Sequence, residues 1–313
     1  MTSRRLDRVG AEGAGPSVQS ILIVAMAVWG LNVSAVKVLT GTLDPIVVAA
    51  VRMVVAFVAI TVIVFWKRHV AAGLTWRRAL GLVVCAVLMV YANQILFVEG
   101  LLRTTATNGA LIMALSPLFS ALLAAMAFRE PLTPSRILGV ILGFAGVAAV
   151  VLSHPGAGLS RAGVGDLLLV ASVLSFAAGG TVVQRMARQL PTLTISWAIY
   201  AIGALLLAVH AGLWSAGQAS SAVAPDAWQW ALILFSGVFA TALSNLIWNH
   251  AIGRIGVART SVFLYLVPVF GIFFAALMLG ERLTVWHFGG FLAVVAGTWL
   301  GTRPASVTTA PAP

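Results

Sequence analysis

Residues 103–146, RTTATNGALIMALSPLFSALLAAMAFREPLTPSRILGVILGFAG, are matched 151 positions later by residues 254–297, RIGVARTSVFLYLVPVFGIFFAALMLGERLTVWHFGGFLAVVAG. The shared residues are Arg103/Arg254, Leu115/Leu266, Pro117/Pro268, Phe119/Phe270, Ala124–Ala125/Ala275–Ala276, Glu130/Glu281, Leu132–Thr133/Leu283–Thr284, Gly139/Gly290 and Ala145–Gly146/Ala296–Gly297. That is 12 identities in 44 positions without a gap, against about four expected by chance in so apolar a chain. Upstream the match is faint: Trp29-Gly30 with Lys37 falls on Ala177-Ala178 with Arg185, at an offset of 148. The chain therefore holds two related copies of one unit, and the number of membrane crossings per copy decides the architecture.

Composition establishes that crossings are the right unit of count. Apolar residues make up 61% of the 313, charged residues 9%, and mean hydropathy is +1.04. Soluble domains are nearer 45–50% apolar and about 25% charged, so a soluble fold of this size lacks the charge to cover its surface. Apolar stretches of about 20 residues point to helices rather than to the alternating ten-residue strands of a membrane barrel. Ten spans are predicted, at roughly 18–39, 45–66, 77–100, 105–128, 135–152, 165–186, 193–214, 228–251, 257–279 and 286–302. Five spans per copy is an odd number, so the second copy crosses upside down. The fold class is all-α integral membrane, with ten transmembrane helices as two inverted five-helix repeats, at 18–152 and 165–302. Residues 1–17 form a cytoplasmic N-terminal tail, and 303–313, rich in Pro, Thr and Ala, a disordered C-terminal one. The first span is too long for a signal-peptide core and no A-x-A site follows it, so it stays as an anchor. An inverted repeat is the mark of a carrier, because two similar halves can exchange conformations about a midplane site.

Charge sets the orientation. With the N-terminus cytoplasmic, inside segments hold 14 basic residues and outside segments four (Lys37, Arg103, Arg161 and Arg282), with Arg52 inside a span. This bias places both termini inside. It also explains the net charge of +11 without nucleic acid as a partner. Trp66, Trp76, Trp214, Trp228 and Trp286 fall at span ends, where an interfacial belt puts them. The one cysteine, Cys85, leaves the redox compartment unread.

Several short motifs, in order and in both halves, carry a resemblance. They are Trp29-Gly30 in the first span, Arg52 in the second, Asn93-Gln94-Ile95-Leu96-Phe97, Gly100-Leu101, Thr104-Thr105-Ala106-Thr107-Asn108, Pro117, Glu130, Pro268 and Gly280-Glu281-Arg282-Leu283. Over about residues 20–302 the chain resembles the drug/metabolite transporter superfamily, EamA type. The resemblance implies a multi-pass carrier of the bacterial inner membrane, usually exporting amino acids or other small metabolites. It implies a cavity lined mainly by the first, third, fourth, sixth, eighth and ninth helices, and it brings in Asn108 as a substrate-binding candidate. The related small multidrug carriers use an acidic residue in their first helix. Residues 18–39 hold none, so their cation-exchange mechanism does not carry over.

The residues themselves name further candidates. Asn245, Trp248, Asn249 and Ile252 share one face of the eighth span at i, i+3, i+4 and i+7. Trp29 and Asn32 are paired at i, i+3 in the first span, and Tyr91 and Gln94 in the third. Amides and indoles donate and accept without net charge, which suits a neutral or zwitterionic ligand. Singly each is explained by bonding between helices, but several such stripes need a shared wet space. Pro117 and Pro268 sit near mid-span, where each would release a carbonyl (of Met113 and Leu264) and kink its helix, either as a hinge or as a static bend. Arg52 is the deepest basic residue. It could hold a substrate carboxylate, pair with Glu99, or snorkel outward. Glu99 has Arg103 one turn on for an i, i+4 bridge, and is otherwise a protonatable group for coupling to protons. His210 and His250 are candidates for proton transfer. Gly139 and Gly143, with Gly290 and Gly297, suit close helix packing. Glu130 and Glu281 are placed to stabilise the helices that follow.

No H-E-x-x-H, G-x-S-x-G or Walker A motif and no Cys/His cluster is present, which speaks against an enzyme, a metal or other cofactor, and self-contained ATP drive. A multidrug carrier and, at a greater distance, a membrane enzyme are the competing readings. A channel would need a filter-like loop or a ring of like charge. The oligomeric state is not legible.

Overall fold

The computed structural model describes residues 17–68, 75–129, 132–153, 163–216, 224–279 and 285–302. Both tails, Glu130, Glu281 and Thr284 lie outside the described residues. The described chain is helical and follows the ten expected spans, nine of them long and apolar enough among the described residues to cross a membrane. They are α1 Val18–Thr40, α2 Pro45–Trp66, α3 Trp76–Leu101, α4 in two pieces (Ala106–Met113 and Ser116–Phe128), α5 Pro134–Leu152, α6 Val164–Met186, α7 Thr192–Ala216 and α8 Ala227–Ile255. Next come α9, in pieces Val257–Val262 and Leu266–Leu279, and α10 Val285–Thr302. The ends follow local chemistry. Asp44 caps α2 through bonds from the Ile46 and Val47 N–H groups, with Pro45 at the first helical position, where its missing N–H costs nothing. Thr133 caps α5, accepting from Arg136 N at 3.3 Å, as its sequence position predicts.

The packing pattern is the inverted repeat made visible. Exchanging α1–α5 with α6–α10 keeps the main contacts. α2 packs on α7 and α5 on α10, each on its own repeat partner, while α1 against α8 and α9 mirrors α6 against α3 and α4. The outward faces are apolar, with Val58, Val62, Leu205, Leu213, Leu277 and Leu292 all exposed, as side chains against hydrocarbon must be. The α5–α10 seam is glycine-lined. A Cβ at Gly139 would lie 2.5 Å from Gly301 N, and one at Gly297 would lie 2.6 Å from Gly139 O, so the two backbones touch.

Two departures from regular α-helix recur at repeat-related places. The α3 and α8 helices widen to π geometry at Val87–Ala92 and Ser236–Leu243, and shifting the first by 151 gives 238–243, inside the second. The α4 and α9 helices break, at 114–115 and at the 3₁₀ turn Phe263–Tyr265. The breaks correct the expected role of the prolines. Pro117 and Pro268 do not interrupt running helices; each lies in the first turn of a new one. There a missing N–H breaks no helical bond. The Met113 carbonyl, expected to be left free, instead accepts from Ser116 Oγ at 2.7 Å.

Candidate substrate cavity

A cavity of about 130 Å³ lies between the two halves. From the first half come Trp29 and Asn32 (α1), Ala49, Arg52 and Met53 (α2), and Met89, Val90, Asn93 and Gln94 (α3). The second half gives Phe176 (α6), Ile199 and Tyr200 (α7), and Ala240, Thr241, Asn245 and Asn249 (α8). The two π segments supply its walls. Gln94 and Asn245, 151 residues apart and each just past its π segment, enter as a symmetry-related pair of amides. At the upstream offset of 148, Arg52 of α2 is matched by Tyr200 of α7, so the cavity is cationic on one half only.

The π segments explain much of the local wiring. A widened turn displaces backbone carbonyls from the i→i−4 ladder, and in a bilayer each must find another donor. In α8 the Ser236 carbonyl accepts from Thr241 Oγ1 at 2.8 Å, and that of Phe239 from Ser244 Oγ at 2.9 Å. The Ala240 carbonyl accepts from Trp29 Nε1 at 2.7 Å, and that of Thr241 from Tyr200 Oη at 3.0 Å and Asn245 Nδ2 at 2.8 Å. In α3 the Leu88 carbonyl accepts from Ser175 Oγ at 2.9 Å. Trp29 is thus both a wall and a brace for α8. Asn32 accepts from Ser236 Oγ, tying α1 to the same segment. Arg52 donates from Nη2 to Thr241 Oγ1 at 3.3 Å.

Of the sequence candidates, the structure brings Trp29, Asn32, Gln94, Asn245, Asn249 and Arg52 together. Others lie elsewhere. Trp248 is fully buried and forms the layer behind the wall, its ring 5.4 Å from that of Trp29 and 5.8 Å from that of Phe176. Tyr91 is turned to α7, where its hydroxyl meets His210 Nδ1 at 3.0 Å. Asn108 donates to both oxygens of Asp166 at 3.1 and 3.2 Å, joining α4 to the start of α6 away from the cavity. Glu99 is held by Arg103, one turn on, so the pairing of Arg52 with Glu99 does not occur. His250 points to the outer surface, because it follows the inward-facing Asn249 by one residue, about 100° around the helix. Neither proline, and no residue of α4 or α9, is among the described lining residues. The α9 helix meets α1 so closely that a Cβ on Gly30 would lie 2.6 Å from Phe270 Cβ, which closes that side. In their place α2 and α7 contribute. Sequence reasoning missed Tyr200, Thr241 and the π segments. The signal for these was the i, i+5 spacing of Ser236 with Thr241, which an α-helical reading places on different faces.

Comparison with known proteins agrees with this architecture. The sequence matches the EamA-like transporter family over residues 17–152 and again over 163–303. It is 26% identical to the Bacillus subtilis protein named Uncharacterized transporter YyaM, over 88% of this chain and 91% of that one. It is 27% identical to an Escherichia coli protein named Probable amino-acid metabolite efflux pump, over 90% of this chain and 93% of that one. A solved crystal structure superposes with a TM-score of 0.79 at 18% identity, covering 90% of this chain and 95% of the other, which supports the fold.

Proposed function

Because this chain belongs to the EamA-like transporter family, and is therefore a multi-pass membrane transporter and not an enzyme, we propose that the cavity between its halves is the substrate site of an alternating-access exporter of small organic metabolites. Amino acids and related compounds are the proposed class. The single observation that carries this reading is the set of polar side chains from both halves, on α1, α2, α3, α7 and α8, converging on one space between them. A space lined from both halves changes its access when the halves rock against one another. The similarity to an amino-acid metabolite efflux pump supports the substrate class. The alternative, a carrier of lipophilic cations, is disfavoured by Arg52. That residue sets a positive charge in the cavity, and none of its described lining residues is acidic.

The membrane proposed is the bacterial inner membrane, with both termini cytoplasmic. The described basic residues outside Arg52 support this: Lys67, Arg68, Arg77, Arg78, Arg129, Arg136, Arg185, Arg188, Arg254 and Arg259 fall at one end of the bundle, and Lys37 and Arg103 at the other, the bias of a cytoplasmic side. Reporter fusions at Gly217 and after Pro313 should then read opposite sides, external for the first and cytoplasmic for the second. The same side from both sinks the topology. The mirrored breaks of α4 and α9 are the proposed flex points, with Pro117 and Pro268 fixing where each second piece begins. Protons as coupling ion find no carboxylate or histidine among the described lining residues.

The test of function is counterflow, which needs no coupling gradient. Proteoliposomes loaded with one unlabelled amino or hydroxy acid should transiently accumulate the labelled compound against its gradient, saturably. Uptake that never exceeds that of protein-free liposomes, across a panel of such solutes, would remove the proposed substrate class.

A further inference from the structure

Among the described residues, the charge in the cavity has no counter-ion. Arg52 lies eight positions into the membrane from Asp44, and a guanidinium remains protonated in proteins. Its hydrogen bond from Nη2 goes to a neutral hydroxyl, that of Thr241, which itself donates onward to the Ser236 carbonyl. The buried Arg52 Nε–H has no acceptor among the described residues. Glu99, the carboxylate that the sequence offered as its partner, is taken by Arg103. A charge at this depth is costly unless something answers it, and the guanidinium's fork of N–H donors matches the two oxygens of a carboxylate. A second polar atom is also unanswered. Asn249, 2% exposed, gives its Nδ2 to Ser196 Oγ at 3.0 Å and leaves Oδ1 without a donor. A buried amide oxygen left in that condition is costly, and a ligand N–H or O–H reaching it would remove the cost.

The geometry points to a specific ligand chemistry: a small carboxylate carrying a hydroxyl or amine donor and an apolar side chain, with Arg52 receiving the carboxylate and Asn249 Oδ1 the donor. Met53, Val90 and Phe176 supply the apolar lining. This inference rests on the cavity being the transport site, and it narrows what that site accepts. With one fixed positive charge and no acidic residue among the described lining residues, the site holds a hydroxy-acid anion best. A zwitterionic amino acid is held less well, and its cationic amide least.

The test is equilibrium binding to the purified full-length protein in detergent, read by intrinsic tryptophan fluorescence, since Trp29 lines the cavity. Four probes share one apolar side chain: 2-hydroxy-4-methylpentanoate, leucine, 2-hydroxy-4-methylpentanamide and leucinamide. The hydroxy acid should bind at least about tenfold more tightly than its neutral amide, the ratio set by one charge-assisted hydrogen bond, with leucine between them and leucinamide weakest. Arg52→Gln should bring acid and amide to within about twofold. Arg52→Lys should keep part of the preference, because the charge stays while the fork is lost. Equal binding of acid and amide by the parent protein overturns the inference, and so does a preference that survives in Arg52→Gln or a failure of all four probes to bind. The parent comparison needs no variant, so a misfolded Arg52 substitution does not blunt it. Counterflow separates the two claims. Flux without discrimination between acid and amide leaves the carrier standing and removes Arg52's role. Discrimination in binding without flux does the reverse.

Discussion

Gly297→Val leaves little folded protein in the membrane. A Cβ at this position would sit 2.6 Å from Gly139 O, 2.6 Å from Gly143 N and 3.1 Å from Gly143 Cα. All three are backbone atoms, which cannot turn aside as a side chain can, so α5 and α10 must separate along the seam. Overpacking costs typically 1–3 kcal/mol where neighbours can adjust; here about 3 kcal/mol or more is expected, with a fall of more than about 5 °C in the unfolding midpoint in detergent. Gly139→Val should do nearly the same, because its Cβ would meet Gly301 N and Gly297 O. The double variant should cost far less than the sum, since one separation relieves both clashes. Gly289→Val is the control. It lies in the same helix with nothing within 4 Å of its Cβ, so it should behave as the parent does. If Gly297→Val and Gly289→Val melt alike, the seam is not as close as described. The contact also bears on mechanism, because helices joined backbone to backbone without side chains between them have little room to slide. Gating motion is expected elsewhere, at the breaks of α4 and α9.

Trp248→Ala is the second large effect, and it is one of stability rather than of substrate contact. The spacing of Asn245, Trp248 and Asn249 on one face suggests that all three touch substrate. In the structure the two asparagines reach the cavity, while the indole, 1% exposed, fills the space behind Trp29 and against Phe176. Removing it empties a volume the surrounding helices cannot close. A buried Trp→Ala change costs about 3–5 kcal/mol; the lower part of that range is expected here, because in a bilayer the loss is of packing rather than of water exclusion. Trp248→Ala should therefore lower the unfolding midpoint by several degrees, and Trp248→Phe should recover most of it. A raised transport half-saturation with an unchanged midpoint would return Trp248 to the substrate-contacting set.

These two cases also show how much could be read before the structure. The spans were legible to within a residue or two apart from the end of α8, expected at 251 and found at Ile255, since a bilayer dictates length and apolarity and the turns carry their own chemistry, as Thr133 and Asp44-Pro45 show. Gly139 with Gly297 was legible as close packing because only glycine permits backbone contact. Facing was not. A helix that is apolar all round, as α2 and α7 nearly are, has no polar stripe to say which side looks inward. Arg52 declared itself by charge, but Tyr200 did not. The π segments were hidden because their local mark, the i, i+5 spacing of Ser236 with Thr241, is slight within a run of small and apolar residues; the stronger evidence lies in distant side chains such as Trp29, Tyr200 and Ser175 that answer the freed carbonyls. Tyr91, Asn108 and His250 were misplaced for a related reason. Their polarity is consumed by His210 and Asp166 in the first two cases and faces outward in the third, and the partners lie in other helices.

The central claim is that one cavity, shared by two inverted halves, is reached in turn from each side of the membrane. Asn32 tests it without knowledge of the substrate. The single cysteine, Cys85, is fully buried, and Cys85→Ser gives a background free of thiols, into which Asn32→Cys places one thiol on the cavity wall. Inside-out and right-side-out vesicles are then exposed to a membrane-impermeant maleimide. The account predicts labelling at Asn32→Cys from both faces in separate experiments, at rates shifted in opposite senses by Pro117→Ala and Pro268→Ala if the broken helices are the flex points. Labelling from one face only, however long the exposure, would contradict alternating access through this cavity.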